Sequence, residues 1–179
     1  MTGFTQWIGA LLFAAQGVMA QEQKMELTPE WEYVADTVMG GVSSGGIDAV
    51  QIAGREAMAL RGAVSLVNNG GFIQMAFDLD KGRVLDASGY AGIEIDVAGN
   101  GATYELRLRT DQLARPWQSY RAEFQTSADW QTLRLPWTSF VQNKTDVTFD
   151  PARLRRIGVL AYGVEMQAYV AVAGVRFYP

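Results

Sequence analysis

Asp36-Thr37-Val38-Met39-Gly40-Gly41-Val42-Ser43-Ser44-Gly45, with Asn68-Asn69-Gly70-Gly71-Phe72 after it, punctuates a 179-residue chain that otherwise consists of short strand-like runs. Adjacent glycines are used where the backbone needs positive φ or where another group comes too close for a Cβ. Two constrained loops are therefore expected. Around the second, Val64–Val67 and Phe72–Phe77 are strand-like runs flanking an Asn-Gly signal, so a plain hairpin turn competes there with a binding loop. The first loop is longer than a hairpin needs and gathers Asp36, Thr37, Ser43 and Ser44 around Gly40-Gly41, as loops that hold a ligand or partner do.

Outward from these loops, period-two alternation marks strands at 31–34, 46–52, 57–66, 72–79, 92–98, 103–110, 119–126, 131–135, 157–162 and 168–178. Short strands separated by Gly, Asn and Asp turns predict an all-β fold, an antiparallel β-sandwich or barrel. The length fits one domain with a core large enough to need no disulfide or metal. We expect a signal segment at 1–20, a polar linker at 21–29 and a single domain over 30–179.

Four motifs in order carry a family resemblance: the Asp36–Ser43 segment, Asn68–Phe72, Tyr104-Glu105-Leu106-Arg107-Leu108-Arg109-Thr110-Asp111, and Trp130-Gln131-Thr132-Leu133-Arg134-Leu135-Pro136-Trp137. Together they resemble the complex I intermediate-associated protein family. The resemblance implies a galactose-binding-like jelly roll and a non-enzymatic, assembly-factor or chaperone-like role in holding a partner of a respiratory or envelope complex. For that role we expect the partner site on the two loops, at Asp36, Met39, Gly40, Gly41, Ser43, Asn68, Asn69, Gly70 and Gly71, together with the charged sheet at Arg107, Arg109 and Asp111.

Chemistry is bounded by what is missing. The chain has no cysteine and no histidine, which removes thiol and Ser-His-Asp catalysis and thiolate or imidazole zinc sites. Glu94, Asp96, Glu105, Asp111 and Glu123 qualify by type for a carboxylate-based glycosidase, but nothing in their spacing separates an acid from a nucleophile. No enzyme activity is expected. Asp36, Ser43, Asn68 and Asn69 offer oxygens yet form no compact calcium loop, so neither metal nor cofactor is predicted. A net charge of −4 argues against nucleic acid. The basic run Arg153, Arg155 and Arg156 follows Asp150-Pro151, a cap and first position for a short helix, and reads as a solvated helix end.

Alternation also sorts the charges. Ile93, Ile95 and Val97 oppose Glu94 and Asp96; Tyr104, Leu106 and Leu108 oppose Glu105, Arg107, Arg109 and Asp111; Tyr120, Ala122 and Phe124 oppose Arg121, Glu123 and Gln125. If these three strands are neighbours, one sheet carries a continuous mixed-charge field, either a solvated face or a binding surface in which Arg107, Arg109 and Asp111 meet carboxylates, phosphates or vicinal hydroxyls. Trp117, Trp130, Trp137, Tyr104, Tyr120 and Tyr162 raise a second function, a carbohydrate-binding or other ligand-binding module of the cell envelope. Most of them read as core, and Trp117 as the tryptophan near the surface.

Residues 1–20 carry no charged side chain, hold an apolar stretch around Trp7–Ala15 and end in Val18-Met19-Ala20. This pattern resembles a secretory signal cleaved after Ala20. The predicted location is periplasmic or secreted, with no transmembrane helix in the mature chain; a cytoplasmic or membrane-associated protein is the alternative.

Overall fold

The computed structural model describes residues 23–179, and the expectations for 1–20 lie outside the described residues. Twelve strands run in chain order: β1 (Met25–Glu26), β2 (Glu32–Ala35), β3 (Ser44–Ile52), β4 (Arg55–Val64), β5 (Phe72–Asp78), β6 (Gly92–Gly99), β7 (Thr103–Thr110), β8 (Ser119–Gln125), β9 (Gln131–Pro136), β10 (Val141–Asn143), β11 (Leu154–Tyr162) and β12 (Met166–Tyr178). They form two antiparallel six-stranded sheets, a jelly-roll sandwich. The back sheet is ordered β3-β4-β12-β6-β9 with β1 beside β12, and the front sheet β10-β8-β7-β11-β5-β2.

The ten predicted strands are all present, because alternation is a local property that packing here respects. Inward-facing positions of both sheets make one core: Ile73, Met75, Phe77, Leu106, Leu108, Ile157 and Val159 from the front, and Leu60, Ile93, Ile95, Val97, Val170 and Phe177 from the back. Each such side chain contributes roughly 1.5–3 kcal/mol on full burial. Two short strands escaped the sequence. β10 is three residues long, and β1 lies in the segment expected to be a linker, where Met25 and Glu26 pair with Phe177 and Arg176.

Two expectations about neighbours are corrected. Asn68–Gly71 is not a hairpin turn: β4 pairs with β3 and β12 in the back sheet, whereas β5 pairs with β2 and β11 in the front one. The segment is a crossover between sheets, turned by Asn68 and Asn69 at φ 58° and 56°. The charged field is also divided, since β7 and β8 are adjacent but β6 belongs to the back sheet.

On the back sheet the β6 carboxylates are outward in register yet covered. Glu94 is 1% exposed and Asp96 6%. Lys24, Arg134 and Arg176 donate to Glu94, while Arg55, Thr132 and Arg176 donate to Asp96. Burial alone would raise the Glu94 carboxyl, but hydrogen bonds from Lys24, Arg134 and Arg176 outweigh it and hold it at about 2. Asp96 is lowered by the same balance.

Candidate functional site

The outer face of the front sheet carries a groove of about 680 Å³. Its floor follows from strand register. Gly158 lies opposite Ala76 on one side and Arg107 on the other, so the centre of the sheet has almost no side-chain height. One step along, Gln74 pairs with both Val34 and Leu160, and one step the other way Arg156 lies opposite Asp78 and Arg109. Two small residues between long ones make the depression.

Val38 and Met39 stand at the β2 side of the groove, 72% and 60% exposed. Trp117, 49% exposed, stands beyond the opposite flank, in the loop leading to β8. Four strand spacings of about 4.8 Å separate β2 from β8, giving a span of about 19 Å. Near the middle the Arg107 guanidinium lies 4.2 Å from the centre of the Tyr162 ring.

The loop that presents Val38 and Met39 is fastened from beneath by Asp36, which is fully buried. Its carboxylate accepts from the Ser43 hydroxyl at 2.5 Å, the Ser43 amide at 3.0 Å, the Gly71 amide at 2.6 Å and the Phe72 amide at 3.2 Å. Ser43 Oγ in turn accepts from the Ser65 amide at 2.9 Å. Burial would raise the Asp36 carboxyl, but the Ser43 hydroxyl and the amides of Gly71, Phe72 and Ser43 hold it below the usual carboxylate range. The two glycine motifs are thus halves of one latch. A Cβ on Gly41 would collide with the Asp36 carboxyl carbon, and one on Gly70 would lie 2.5 Å from an Asp36 oxygen. Gly40 serves differently, at φ 90° with open space around its Cα.

The predicted site residues therefore separate. Met39, Asn69, Gly70, Arg107 and Arg109 line the groove. Asp36, Gly41, Ser43 and Gly71 lie behind it and build the loop; Gly40 ends the short 3-10 turn of residues 36–39, and Asn68 is exposed and does not line the groove. Asp111 lies outside too, where Arg153 donates to it at 2.8 and 2.5 Å and holds its carboxyl low. Trp117 is where the sequence placed it. Tyr162, grouped with core aromatics, faces the groove instead.

Sequence reasoning missed Arg155 and Arg156. The helix at 151–153 exists, with Asp150 capping the Ala152 amide at 3.0 Å, but it ends after one turn. Both arginines fall on β11 and line the groove. Arg156 pairs with Asp78 and Glu32. The signal available was Ile157–Tyr162, whose alternation extends back to put Arg156 on the outer face; Arg155 comes out only through the irregularity between Leu154 and Arg156.

Arg109 has no carboxylate within ion-pair distance among the described residues. Its Nη2 donates to the Arg115 carbonyl at 3.1 Å, while its Nε, like Nη2 of Arg107, is buried without a hydrogen-bond partner. Burial, then the charges of Arg156 and Arg155, push the Arg109 guanidinium below its ordinary value. No group of three or more acidic side chains among the described residues is arranged to hold a metal ion. No described helix is long and apolar enough to cross a membrane.

Residues 20–169 match the model of the family described as Complex I intermediate-associated protein 30 (CIA30). The chain belongs to this family. In this chain the latch joins the two glycine motifs through Asp36. No curated protein matches the chain in sequence. Among solved structures it is similar to a family 11 carbohydrate-binding module from Clostridium thermocellum, in complex with a β-1,3-1,4-mixed-linked tetrasaccharide, at 14% identity and TM-score 0.69, covering 88% of this chain and 96% of that one. A family 30 carbohydrate-binding module of a cellulase from the same organism aligns at 14% identity and TM-score 0.65, covering 87% of this chain and 96% of that one. An exo-β-agarase contains a similar unit, at 11% identity and TM-score 0.57 over 87% of this chain and 24% of that one. At these identities the likeness establishes a shared jelly-roll fold.

Proposed function

We propose that this CIA30-family protein is a non-catalytic, assembly-factor-like binding protein that holds a segment of a partner protein across the front groove. The observation that carries the reading is the pair Val38 and Met39, aliphatic and exposed, on a loop anchored by four hydrogen bonds to Asp36 at the rim of the groove. Exposed apolar side chains beside a concave surface are the anatomy of a protein contact. The groove carboxylate Asp78, and Glu105 beside Arg107, each engage arginines, which suits fixed binding rather than general acid catalysis. A photo-crosslinker at Met39, used in cells, tests it. Capture of a discrete partner, lost when Val38→Asp is added, is expected; unchanged capture in that variant overturns the assignment.

A second reading, a glycan-binding module of the cell envelope, is favoured by Trp117 and Tyr162 in one groove. Titration with neutral oligosaccharides while following tryptophan fluorescence decides it: quenching that Trp117→Ala removes supports a sugar site, and silence across a broad panel removes the reading. The compartment enters the same question. A mature chain starting near Gln21, by intact mass from fractionated cells, directs the search to envelope partners, and a longer cytoplasmic or membrane-bound chain to respiratory assembly.

A further inference from the structure

We propose that the front groove selects an acidic polypeptide segment, whose carboxylate is received by Arg109 and Arg155 while its apolar side chains rest against Val38 and Met39. This rests on the partner-binding reading and adds the chemistry of the partner.

Charge complementarity carries it. Arg109 and Arg156 sit directly opposite on neighbouring strands, and the irregularity between Leu154 and Arg156 sets Arg155 beside them. Like charges facing across a ladder destabilise a sheet unless something offsets them. Arg156 is offset by Asp78 and Glu32. Glu105 serves both Arg107 and Arg121, one carboxylate for two guanidinium groups. Asp78 acts on Arg109 and Asp111 on Arg155 only from beyond ion-pair distance, so neither arginine has a close carboxylate among the described residues, although the whole chain is acidic at −4. Lys144 adds a further positive group on the groove wall. Buried guanidinium donors without acceptors, at Arg109 Nε and Arg107 Nη2, mark where polar interaction is still unmet.

The same groove argues for a peptide over an acidic sugar. Its exposed apolar rim at the β2 side is aliphatic, and aliphatic side chains fit the irregular surface of peptide side chains, whereas sugars stack on flat rings. The ring of Tyr162 is already faced by Arg107 at 4.2 Å. A span of about 19 Å takes about six extended residues at about 3.3 Å each.

The test uses the full-length protein and synthetic hexapeptides that alternate Leu or Val with Glu, against the same peptides with Gln for Glu, and a hexuronate oligosaccharide. Binding is followed by tryptophan fluorescence and by the Nε–H resonances of the arginines. We expect the Glu peptides to bind at least about tenfold more tightly than the Gln peptides, with the preference falling in about 1 M salt, where the screening length is about 3 Å. Arg155→Gln, an exposed position that leaves folding intact, should remove most of the preference, and a shifted Arg109 Nε–H signal should accompany binding. Equal binding of Glu and Gln peptides overturns the charge selection while leaving partner binding intact. Binding of the hexuronate alone overturns the peptide assignment. No binding by any probe, with the native partner still crosslinked at Met39, overturns the acidic selectivity but not the proposed function.

Discussion

Asp36 concentrates more structural consequence than any other side chain described. It is a carboxylate with no cation within ion-pair distance among the described residues, kept charged by three backbone amides and one hydroxyl. Replacing it with Ala leaves those donors buried and unmatched, so Asp36→Ala should cost about 3 kcal/mol or more in urea unfolding. The pH dependence has a definite sign. Because the folded carboxyl is lowered, its stabilisation is complete above the unfolded value of about 3.9 and is lost as pH falls through the folded one. The gap between the wild type and Asp36→Asn should therefore narrow on acidification below about pH 4. A gap that stays constant down to pH 2 would mean the carboxylate is not the group that matters. Asp36 and Ser43 were visible in the sequence as chemistry-bearing residues, but their inward direction was not, since the Gly40-Gly41 and Gly70-Gly71 motifs, 30 residues apart in the chain, give no sign that they close on each other.

Among the elements, the 36–43 loop shows how backbone and side chain divide the work of a glycine pair. Gly40 occupies left-handed space with nothing near it, and Gly40→Ala should cost about 1 kcal/mol in conformational strain. Gly41→Ala must displace Asp36 from its amides and should cost at least about 3 kcal/mol, the latch being broken. Equal thermal shifts for the two variants would contradict this division. The rim is separable from the latch: Val38→Asp, at an exposed position, should alter stability by less than about 0.5 kcal/mol while abolishing partner capture. At this level the sequence identified nearly every strand, because side-chain alternation needs only neighbouring residues. It did not identify β10, too short for a period, nor the short reach of the 151–153 helix that delivers Arg155 and Arg156 to a strand.

For the molecule as a whole, the two outer faces differ in how their charge is settled. On the back sheet Arg176 bridges Glu94 and Asp96, and Lys24, Arg55 and Arg134 complete the cluster. Arg176→Met leaves two buried carboxylates with too few donors and should destabilise by about 3–5 kcal/mol. Both carboxyls are lowered in the fold, Glu94 to about 2, so the wild type should hold this stabilisation above about pH 4 and lose it progressively toward pH 2. An acid-unfolding curve for Arg176→Met that parallels the wild type would refute the assignment. The front sheet keeps unmatched arginines over a low floor, and binding is expected there. Composition and alternation by themselves determined an all-β chain without thiol or imidazole chemistry and its strands, and four ordered motifs pointed to its family, because each depends on residue type and order along the chain. Tertiary structure alone decided that β6 and β7 lie in opposite sheets, that Asn68–Gly71 crosses between them, and that Asp36 faces inward while Arg109, Arg155 and Tyr162 meet in one groove. Strand partners are chosen by packing between segments distant in sequence, and alternation states only which side a residue faces, not what waits on that side.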